Sequence, residues 1–342
     1  MSTVSGSPGY GAGPGDGELD GFSAVVTHLR ERGLLNGEPV TVERLSGGVS
    51  NDVLAVRGPN RVLVVKRALA RLRVTEEWLA DPDRVLAEAE ALRVAAHYQP
   101  SRVPPVLDVD PEQQMIVIGF AELGAREWRA GLLAGDVDPE IAGMLGDILA
   151  RWHAATAGDS DLRERFGSRK AFEQLRIDPF YRWVGRSHPD LASRIDAVAA
   201  SMPTRPACLV HGDFSPKNVL LGRSSIWIID WEVAHYGDPS FDVGFLLAHL
   251  MCKSLHRPES SPDYQSAALR FLNRYRTGSD GILPWDEEHV TLQTACLLLA
   301  RMDGKSPAAY LDERSRHRGR EIARSVLSQD APSIEDLWKE LS

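Results

Sequence analysis

Two short segments near the middle of the chain constrain its fold more than any other feature. Residues 211–218 read His-Gly-Asp-Phe-Ser-Pro-Lys-Asn, which places Asp213 and Asn218 five positions apart. Asp230 follows the apolar run 226–229, twelve residues after Asn218. Polar residues are common where strands end. This explains Asp213, Asn218 or Asp230 taken one at a time, but not the order in which the three occur together. Oxygen-bearing side chains on two adjacent turns suit a hard cation such as Mg²⁺ beside a positioned hydroxyl group.

The same order occurs in the catalytic set of protein kinases. The two segments resemble those of the aminoglycoside phosphotransferase-like kinases, which include choline, homoserine and methylthioribose kinases. Gly212 matches the small residue that this family has in place of the kinase Arg, and Asp230-Trp231-Glu232 matches its Asp-x-Glu metal loop. Residues 237–244 are similar to the start of the family's next helix. The resemblance implies an α+β, bilobal protein-kinase-like fold, with a small antiparallel-β N-terminal lobe and a mainly helical C-terminal lobe.

The resemblance also implies roles for the three polar side chains. Asp213 is expected to accept or orient the proton of a substrate hydroxyl as the catalytic residue. Asn218 and Asp230 are expected to bind Mg²⁺ through oxygen atoms, with ATP as the phosphoryl donor. The expected activity is an ATP- and Mg²⁺-dependent phosphorylation of a hydroxyl group on a small molecule.

Other residues around these segments have more than one interpretation. His211 is expected to hold the loop by hydrogen bonding rather than to transfer protons. Asp242, at a helix start, is expected to accept hydrogen bonds from backbone donors of the loop. Lys217 either contacts the γ-phosphate or is solvated, and Glu232 either reaches the metal through water or has no part in binding it.

The N-terminal part is predicted to bind the nucleotide. Residues 45–52 join two predicted strands, and Gly47, Gly48 and Ser50 are expected to cover the phosphates, since glycines let the backbone approach closely. A plain turn is the alternative for this Gly-Gly pair. Lys66 ends the apolar run 62–65 and is predicted to bind the α- and β-phosphates, although a charged residue at a strand end explains it as well.

Two further nucleotide contacts are predicted from the sequence. Glu88 is expected to form an ion pair with Lys66, and Glu90 is the competing candidate on the other side of the same predicted helix. Backbone groups around residues 119–122, including Phe120 and Glu122, are expected to bind adenine.

Periodicity along the chain predicts the remaining organisation. Residues 1–17, rich in Gly, Ser and Pro, are predicted to be a flexible tail. Residues 18–120 are predicted to form the nucleotide-binding lobe, and residues 121–342 the lobe with the catalytic loop and substrate site. The elements predicted before residue 120 are helices near 21–32 and 83–97 and antiparallel strands near 40–45, 53–56, 62–65, 106–109 and 115–118. From about residue 123 the spacing is mostly helical, interrupted by two short strands around the catalytic loop.

Composition excludes several classes of partner and compartment. The chain has 342 residues and a net charge of −9, with no block of Lys and Arg that would indicate nucleic acid or an anionic membrane surface. Its three cysteines, far apart, show no zinc spacing or disulfide framework, which favours a reducing cytoplasm. No apolar run is long enough to span a membrane, and the N-terminus lacks the features of a signal peptide. The oligomeric state stays open.

The acceptor is the least constrained part of the prediction. Residues 66–84, with Trp78, resemble the segment of methylthioribose kinases whose Trp-containing loop reaches over the nucleotide. The catalytic loop departs from those enzymes at residues 214–218, and their paired late arginines have no clear counterpart. Charged groups in the segment 301–307 either line the acceptor cleft or cap a helix end. A sugar-like metabolite or antibiotic is the expected acceptor, with an aminoglycoside or macrolide resistance kinase, a methylthioribose-type kinase or a non-catalytic pseudokinase as alternatives.

Overall fold

The structure is a computed structural model, and it describes residues 16–45, 50–73, 78–339 and 341. An antiparallel sheet forms the N-terminal part and helices form most of the remainder, so the predicted α+β class is confirmed. No helix in these described ranges is both long enough and apolar enough to cross a membrane.

The five strands predicted before residue 120 are present and form one sheet. Its spatial order is β1-β2-β3-β5-β4, and all neighbouring strands are antiparallel. Side chains alternate between the faces of β3, so that Leu63 and Val65 pack on one side while Val64 and Lys66 face the other. The strands are β1 (Thr41–Arg44), β2 (Asn51–Arg57), β3 (Val62–Ala68), β4 (Val106–Asp110) and β5 (Met115–Gly119).

One helix covers each face of this sheet. Helix α1 (Asp16–Glu31) packs Val25 and Leu29 against the outer face, and α2 (Arg84–Tyr98) lies on the inner face. Helix α1 includes residues 16 and 17, which the sequence assigned to the flexible tail. The apolar spacing that identifies this helix begins only at Phe22, and periodicity does not locate a first turn. Residues 1–15 of the predicted tail lie outside the described residues.

Within the described residues from 121 onward there are five short strands, where the sequence predicted two. They are β6 (Arg126–Glu127), β7 (Cys208–Val210), β8 (Val219–Leu221), β9 (Ile226–Ile228) and β10 (His235–Gly237). Strands β8 and β9 form the hairpin on either side of residues 222–225, and β7 pairs with β10. Strands of two or three residues are too short to show a two-residue period, which explains the difference.

Helices account for most of the remaining chain. Helix α9 is buried along almost its whole length, and it packs chiefly against α11 and α10. The helices are α3 (Trp128–Ala134), α4 (Pro139–Ala155), α5 (Ser160–Arg165), α6 (Lys170–Phe172), α7 (Trp183–Ser187), α8 (Ala192–Ser201), α9 (Ser240–His256), α10 (Ser261–Ser279), α11 (Glu287–Asp303), α12 (Glu313–Leu327) and α13 (Ile334–Lys339).

A π-helix joins α6 to α7 and contacts both parts of the molecule. It spans Glu173–Arg182 and contains Pro179, whose missing N–H is compatible with an irregular helix. Trp78 donates a hydrogen bond from Nε1 to the carbonyl oxygen of Gln174, 2.9 Å away, and the Gln174 side chain accepts from the backbone of Asp81. Trp78 is therefore buried against the helical part and does not line the nucleotide-side cavity, unlike the loop that the resemblance implied.

Candidate active site

A cavity of about 460 Å³ lies between the inner face of the sheet and the β8–β9 hairpin. Val64, Ile118 and Leu220 form an apolar part of its lining, which suits a flat heteroaromatic ring. Its polar end is lined by Lys66, Lys217, Asn218 and Asp230. An apolar slot that opens onto cations and side-chain oxygens fits a nucleotide with its phosphates at the polar end.

Lys66 lies between two carboxylates at this polar end. Its Nζ is 2.6 Å from Glu88 Oε1 and 2.8 Å from Asp230 Oδ1, whereas Glu90 pairs with Arg93 and Arg165 on the surface. Burial disfavours the charge on Lys66, but Asp230 and Glu88 outweigh that effect and raise the pKa of the ammonium group. Burial raises the pKa of Glu88, and Lys66 offsets this only in part. Lys66 is therefore a fixed cation that joins β3, α2 and the turn after β9.

Asp230 adopts a backbone conformation that is uncommon for residues other than glycine. Its φ is +70°, in the left-handed region that favours glycine. Such strain persists only where surrounding contacts hold it, and it occurs often at functional sites. Burial opposes the charge on Asp230, but Lys66 and Lys217 outweigh it and lower the pKa of the carboxyl group. The strained turn thus holds an ionised carboxylate beside Lys66.

Asp213 is surrounded by three hydrogen-bond donors. Arg176 Nη2 lies 2.9 Å from Oδ1, while Lys217 Nζ and Asn218 Nδ2 lie 2.9 Å and 2.8 Å from Oδ2. Burial disfavours its charge, but Arg176 and Lys217 outweigh that effect and lower the pKa of the carboxyl group. A carboxylate with a lowered pKa is a weak base, so this arrangement suits the orientation of a hydroxyl better than early proton removal.

Arg176 was not identified from the sequence. It lies in the π-helix, 37 positions before Asp213, and no motif connects the two. Its Nε donates to the Gly212 carbonyl oxygen at 2.7 Å, and its Nη1 donates to the Leu175 carbonyl oxygen at 2.6 Å. The only local signal was a proline inside a helical pattern, which indicates an irregular helix but not its contact.

The donors at Asn218 and Asp230 fit a divalent cation. Asn218 Nδ2 donates to both the backbone and side-chain oxygens of Asp213, so its carbonyl oxygen is the atom that a cation can reach. Among the described residues, no group of three or more His, Cys, Asp or Glu side chains converges on one point. Two protein oxygens match Mg²⁺, which keeps waters and nucleotide phosphates as its other ligands.

Asp242 holds the backbone of the catalytic loop, as the sequence predicted. Its carboxylate accepts hydrogen bonds from the backbone N–H groups of His211 at 2.7 Å and Gly212 at 2.8 Å. Gly212 has a φ of +76°, and a Cβ there would lie 2.6 Å from the Val233 carbonyl oxygen, so only glycine fits. His211 accepts from the Asp213 N–H through Nδ1, and its Nε2 lies 3.1 Å from the Ile229 carbonyl oxygen. This pattern agrees with the predicted loop-holding role of His211.

Glu232 is held by protein donors. Oε1 accepts from Ser50 Oγ at 2.6 Å, and Oε2 accepts from Asn51 Nδ2 at 2.9 Å and from Arg84 Nε at 2.8 Å. We call these four residues the Glu232 cluster. Both carboxylate oxygens are occupied and Glu232 is buried, so its contacts hold the start of β2, at Ser50 and Asn51.

Arg84 connects this cluster to the loop between β3 and α2. Beyond Glu232, it donates to the backbone carbonyl oxygens of Ser50, Leu69 and Asp81. A guanidinium has five N–H donors in a fixed plane and can satisfy these four acceptors at once, whereas the ammonium group of Lys has only three donors. Neither Arg84 nor Asn51 carried a sequence signal for this contact, because Glu232 is 148 residues from Arg84 and 181 residues from Asn51.

The remaining predicted nucleotide residues have different positions. Ser50 lines the cavity, but its hydroxyl donates to Glu232, and Gly47 and Gly48 lie outside the described residues. Phe120 and Glu122 line the cavity at the end of β5. The Glu122 carboxylate accepts from the Arg223 N–H at 2.7 Å and from Ser225 Oγ at 2.8 Å, so its side chain stabilises the β8–β9 turn. Glu122 therefore presents only its backbone groups to a base in the cavity, which is the kind of contact that the sequence analysis expected.

Comparison with known proteins gives a family match. The profile of the phosphotransferase enzyme family matches residues 41–276, which is more than half of the chain. Similar sequences include a methylthioribose kinase of Exiguobacterium sibiricum, 27% identical over 66% of this chain, and one of Bacillus cereus, 26% identical over 69%. The matched regions span 64% and 66% of the length of those two relatives.

Solved structures agree on the fold. An amicoumacin kinase determined with AMP-PNP and Ca²⁺ aligns over 95% of this chain and 99% of its own, with a TM-score of 0.60 and 14% identity. An ethanolamine kinase of Plasmodium vivax aligns over 96% of this chain and 87% of its own, with a TM-score of 0.53 and 12% identity. The protein-kinase-like fold predicted from the two motif segments is thereby confirmed.

The Glu232 cluster gives a testable prediction. Arg84→Met leaves the Glu232 carboxylate buried without its cation, and we expect it to lower the free energy of unfolding by about 3–5 kcal/mol. The double variant Arg84→Met/Glu232→Gln should lose less than the sum of the single variants, with a coupling of at least about 1 kcal/mol. Denaturant unfolding measures both quantities, and the exposed Arg93→Met is the control.

A different result would assign Glu232 to the metal. In that case Glu232→Gln would raise the Mg²⁺ concentration needed for activity while leaving the unfolding free energy unchanged, and no coupling to Arg84 would be measured.

Proposed function

Because this chain belongs to the phosphotransferase enzyme family, we propose that it transfers the γ-phosphoryl group of ATP to a hydroxyl group of a small molecule. The supporting observation is the convergence of Lys66, Lys217, Asn218 and Asp230 at one end of a nucleotide-sized cavity, with Asp213 adjoining them. Phosphoryl transfer depends on positioning and on charge neutralisation, and these side chains supply both.

The nucleotide would lie along the cavity. Its adenine would occupy the apolar slot beside residues 119–122, and its phosphates would contact Lys66, whose raised pKa keeps it charged. Glu88 positions Lys66 from α2 without facing the cavity itself. Ser50 and the predicted glycine turn would close over the phosphates, with the Glu232 cluster holding the end of that turn.

Asp213 would bind the acceptor hydroxyl. The hydroxyl would replace one of the donors now at the carboxylate, and Lys217 is the partner with the most exposed side chain. Because the pKa of Asp213 is lowered, it would orient the oxygen for in-line attack and take the proton late. Lys217 would then be free to contact the transferred phosphoryl group. Asn218 and Asp230 would hold Mg²⁺, which supplies charge neutralisation at the phosphates.

Several acceptor classes stay compatible with this reaction. The names of the curated relatives make a methylthioribose-type sugar one candidate. An aminoglycoside acceptor calls for several converging carboxylates, whereas Arg176 and Lys217 already occupy the carboxylate of Asp213. A macrolide acceptor or a pseudokinase remains an alternative that activity measurements separate. Cys208, Cys252 and Cys296 are buried free thiols, which supports the proposal of a cytoplasmic location.

The role of Asp213 can be tested by Asp213→Asn. This change keeps the shape of the side chain but removes its charge, and we expect phosphorylation of an acceptor to slow by about 10²–10⁴-fold. ATP affinity measured by calorimetry should hardly change, because other residues contact the nucleotide. Acceptors would be found by following ADP release over sugars, aminoglycosides, macrolides and methylthioribose, with the exposed Asp161→Asn as the control.

Two outcomes would reject this role. If the Asp213→Asn variant works at close to the wild-type rate, Asp213 is not the catalytic residue. A variant that melts early and no longer binds ATP indicates a structural carboxylate instead.

The metal assignment predicts unequal effects at its two ligands. Asp230→Ala removes a charged ligand and should leave less than about a tenth of the wild-type kcat at saturating Mg²⁺. Asn218→Ala removes a neutral oxygen and should mainly raise the Mg²⁺ concentration required. Titration of turnover with Mg²⁺ measures both effects, and an Asp230→Ala enzyme that retains most of its kcat would contradict the assignment.

A further inference from the structure

A row of aromatic and cationic side chains leads from Asp213 along one face of helix α9. Arg176, which pairs with Asp213, lies 5.5 Å from the ring of Phe245, and that ring lies 4.9 Å from the ring of His249. Lys253 follows one turn later, since Phe245, His249 and Lys253 are spaced four residues apart. Phe245 and Lys253 are therefore separated by about 12 Å along the helix axis.

Lys253 is a buried cation without a countercharge. Its side chain is 1% exposed, its Nζ donates to the backbone carbonyl oxygen of His249 at 3.3 Å, and the ring of Tyr310 lies 5.5 Å away. Within the described residues, no carboxylate oxygen lies within 4 Å of this ammonium group. Burial, together with the nearby Arg301 and Arg129 cations, lowers the pKa of Lys253 to about 7, although the Cys252 thiol acts in the opposite direction.

Arg301 and Tyr310 have unused hydrogen-bonding groups at the same place. Arg301 Nη1 donates to the backbone and side-chain oxygens of Ser306, whereas its Nε and the Tyr310 hydroxyl are buried with no hydrogen-bond partner in the described structure. Buried donors and cations without partners are costly unless a ligand satisfies them. Lys253, Arg301 and Tyr310 thus provide three hydrogen-bond donors with no carboxylate among them, and such a group suits a bound anion.

This cluster lies beside the proposed reaction centre. Arg129, one of the cations near Lys253, lines the nucleotide cavity. The pKa of His249 is lowered by burial and by cations on both sides of it, with Lys253 and Arg301 at one end and Lys217 and Arg176 at the other. The row thus has cationic groups at both ends, with Arg176 and Lys217 beside Asp213 and Arg301 beside Lys253.

We propose that the hydroxyl acceptor carries an anionic group, a carboxylate or a phosphate, which binds Lys253, Arg301 and Tyr310 while its hydroxyl lies at Asp213. This assignment of substrate class rests on the proposed kinase function. It disfavours polycationic antibiotics, because the row would repel them.

Inorganic sulfate is a direct probe of this subsite. Calorimetric titrations of the full-length protein at pH 8, in two buffers of different ionisation enthalpy, measure both sulfate affinity and proton uptake. A bound anion should raise the pKa of Lys253 from about 7 and cause proton uptake, whereas Lys66 and Lys217 have raised pKa values and are already charged. The titratable and charged groups that surround Lys253 are His249, Cys252, Arg301 and Tyr310, with Arg129 nearby.

Lys253→Met and Arg301→Met test the assignment, with Lys170→Met as a control because Lys170 is exposed and pairs with Asp81. We expect each test variant to lose at least about tenfold in sulfate affinity. Lys253→Met should also lose the proton uptake, and the control should match the wild type. Met has a similar length to Lys and no charge to bury, so Lys253→Met is expected to remain folded.

Matched pairs then separate the two anion sources. D-glucuronate is compared with D-glucose, and ribose 5-phosphate with ribose, by the same calorimetry. Tighter binding of one anionic member, lost in Lys253→Met, identifies a carboxylate or a phosphate acceptor. The inference is overturned if the wild type takes up no protons with sulfate, if Lys253→Met binds sulfate as the wild type does, or if neither anion outbinds its neutral parent. Sulfate binding in a protein that transfers no phosphoryl group would instead reject the proposed function and leave the anion site standing.

Discussion

The contact of Lys66 with Glu88 and Asp230 is the interaction on which the site depends. It joins strand β3, helix α2 and the strained turn after β9, so a single buried ammonium group fixes three elements from both parts of the chain. Without that cation, the buried carboxylate of Glu88 and the partly buried carboxylate of Asp230 would face each other, and their ionised forms would be disfavoured. The same contact places the buried cation of β3, Lys66, at the polar end of the cavity.

Buried carboxylates around the cleft follow a common rule. Asp242 accepts two backbone N–H groups, Glu232 is held by Arg84 and two neutral donors, and Asp213 has Arg176 and Lys217. Their negative charges are compensated within the protein, which leaves little to attract a cationic substrate. Lys253 and Arg301 differ, because no carboxylate among the described residues compensates their positive charges. This uncompensated charge favours an anionic group on the acceptor as well as on the nucleotide.

The sequence predicted those parts of the site that are encoded locally. The order of residues 211–230 indicated the loop, its glycine and its carboxylates. Alternating and apolar runs of residues predicted the strands around Lys66. Glu88 was chosen over Glu90 by resemblance, and the structure places Glu88 against Lys66. These features depend on spacing within one element or between neighbouring elements, which a sequence displays directly.

Other contacts could not be read from the sequence because they join distant segments. Arg176 reaches Asp213 only because a π-helix turns it inward, and Arg84 meets Glu232 only after the sheet and hairpin pack together. Trp78 was expected near the nucleotide, but its indole N–H is satisfied by the π-helix. Long-range pairing of this kind depends on tertiary packing, which local propensity does not specify.

The affinity for MgATP of two glutamine variants on helix α2 tests the central claim most directly. Glu88→Gln removes the charge that positions Lys66, whereas Glu90→Gln alters an exposed residue two positions away that pairs with Arg165. Calorimetry should show MgATP binding weakened by about tenfold in Glu88→Gln and unchanged in Glu90→Gln. Normal affinity in Glu88→Gln with a loss in Glu90→Gln would contradict this account of the nucleotide site.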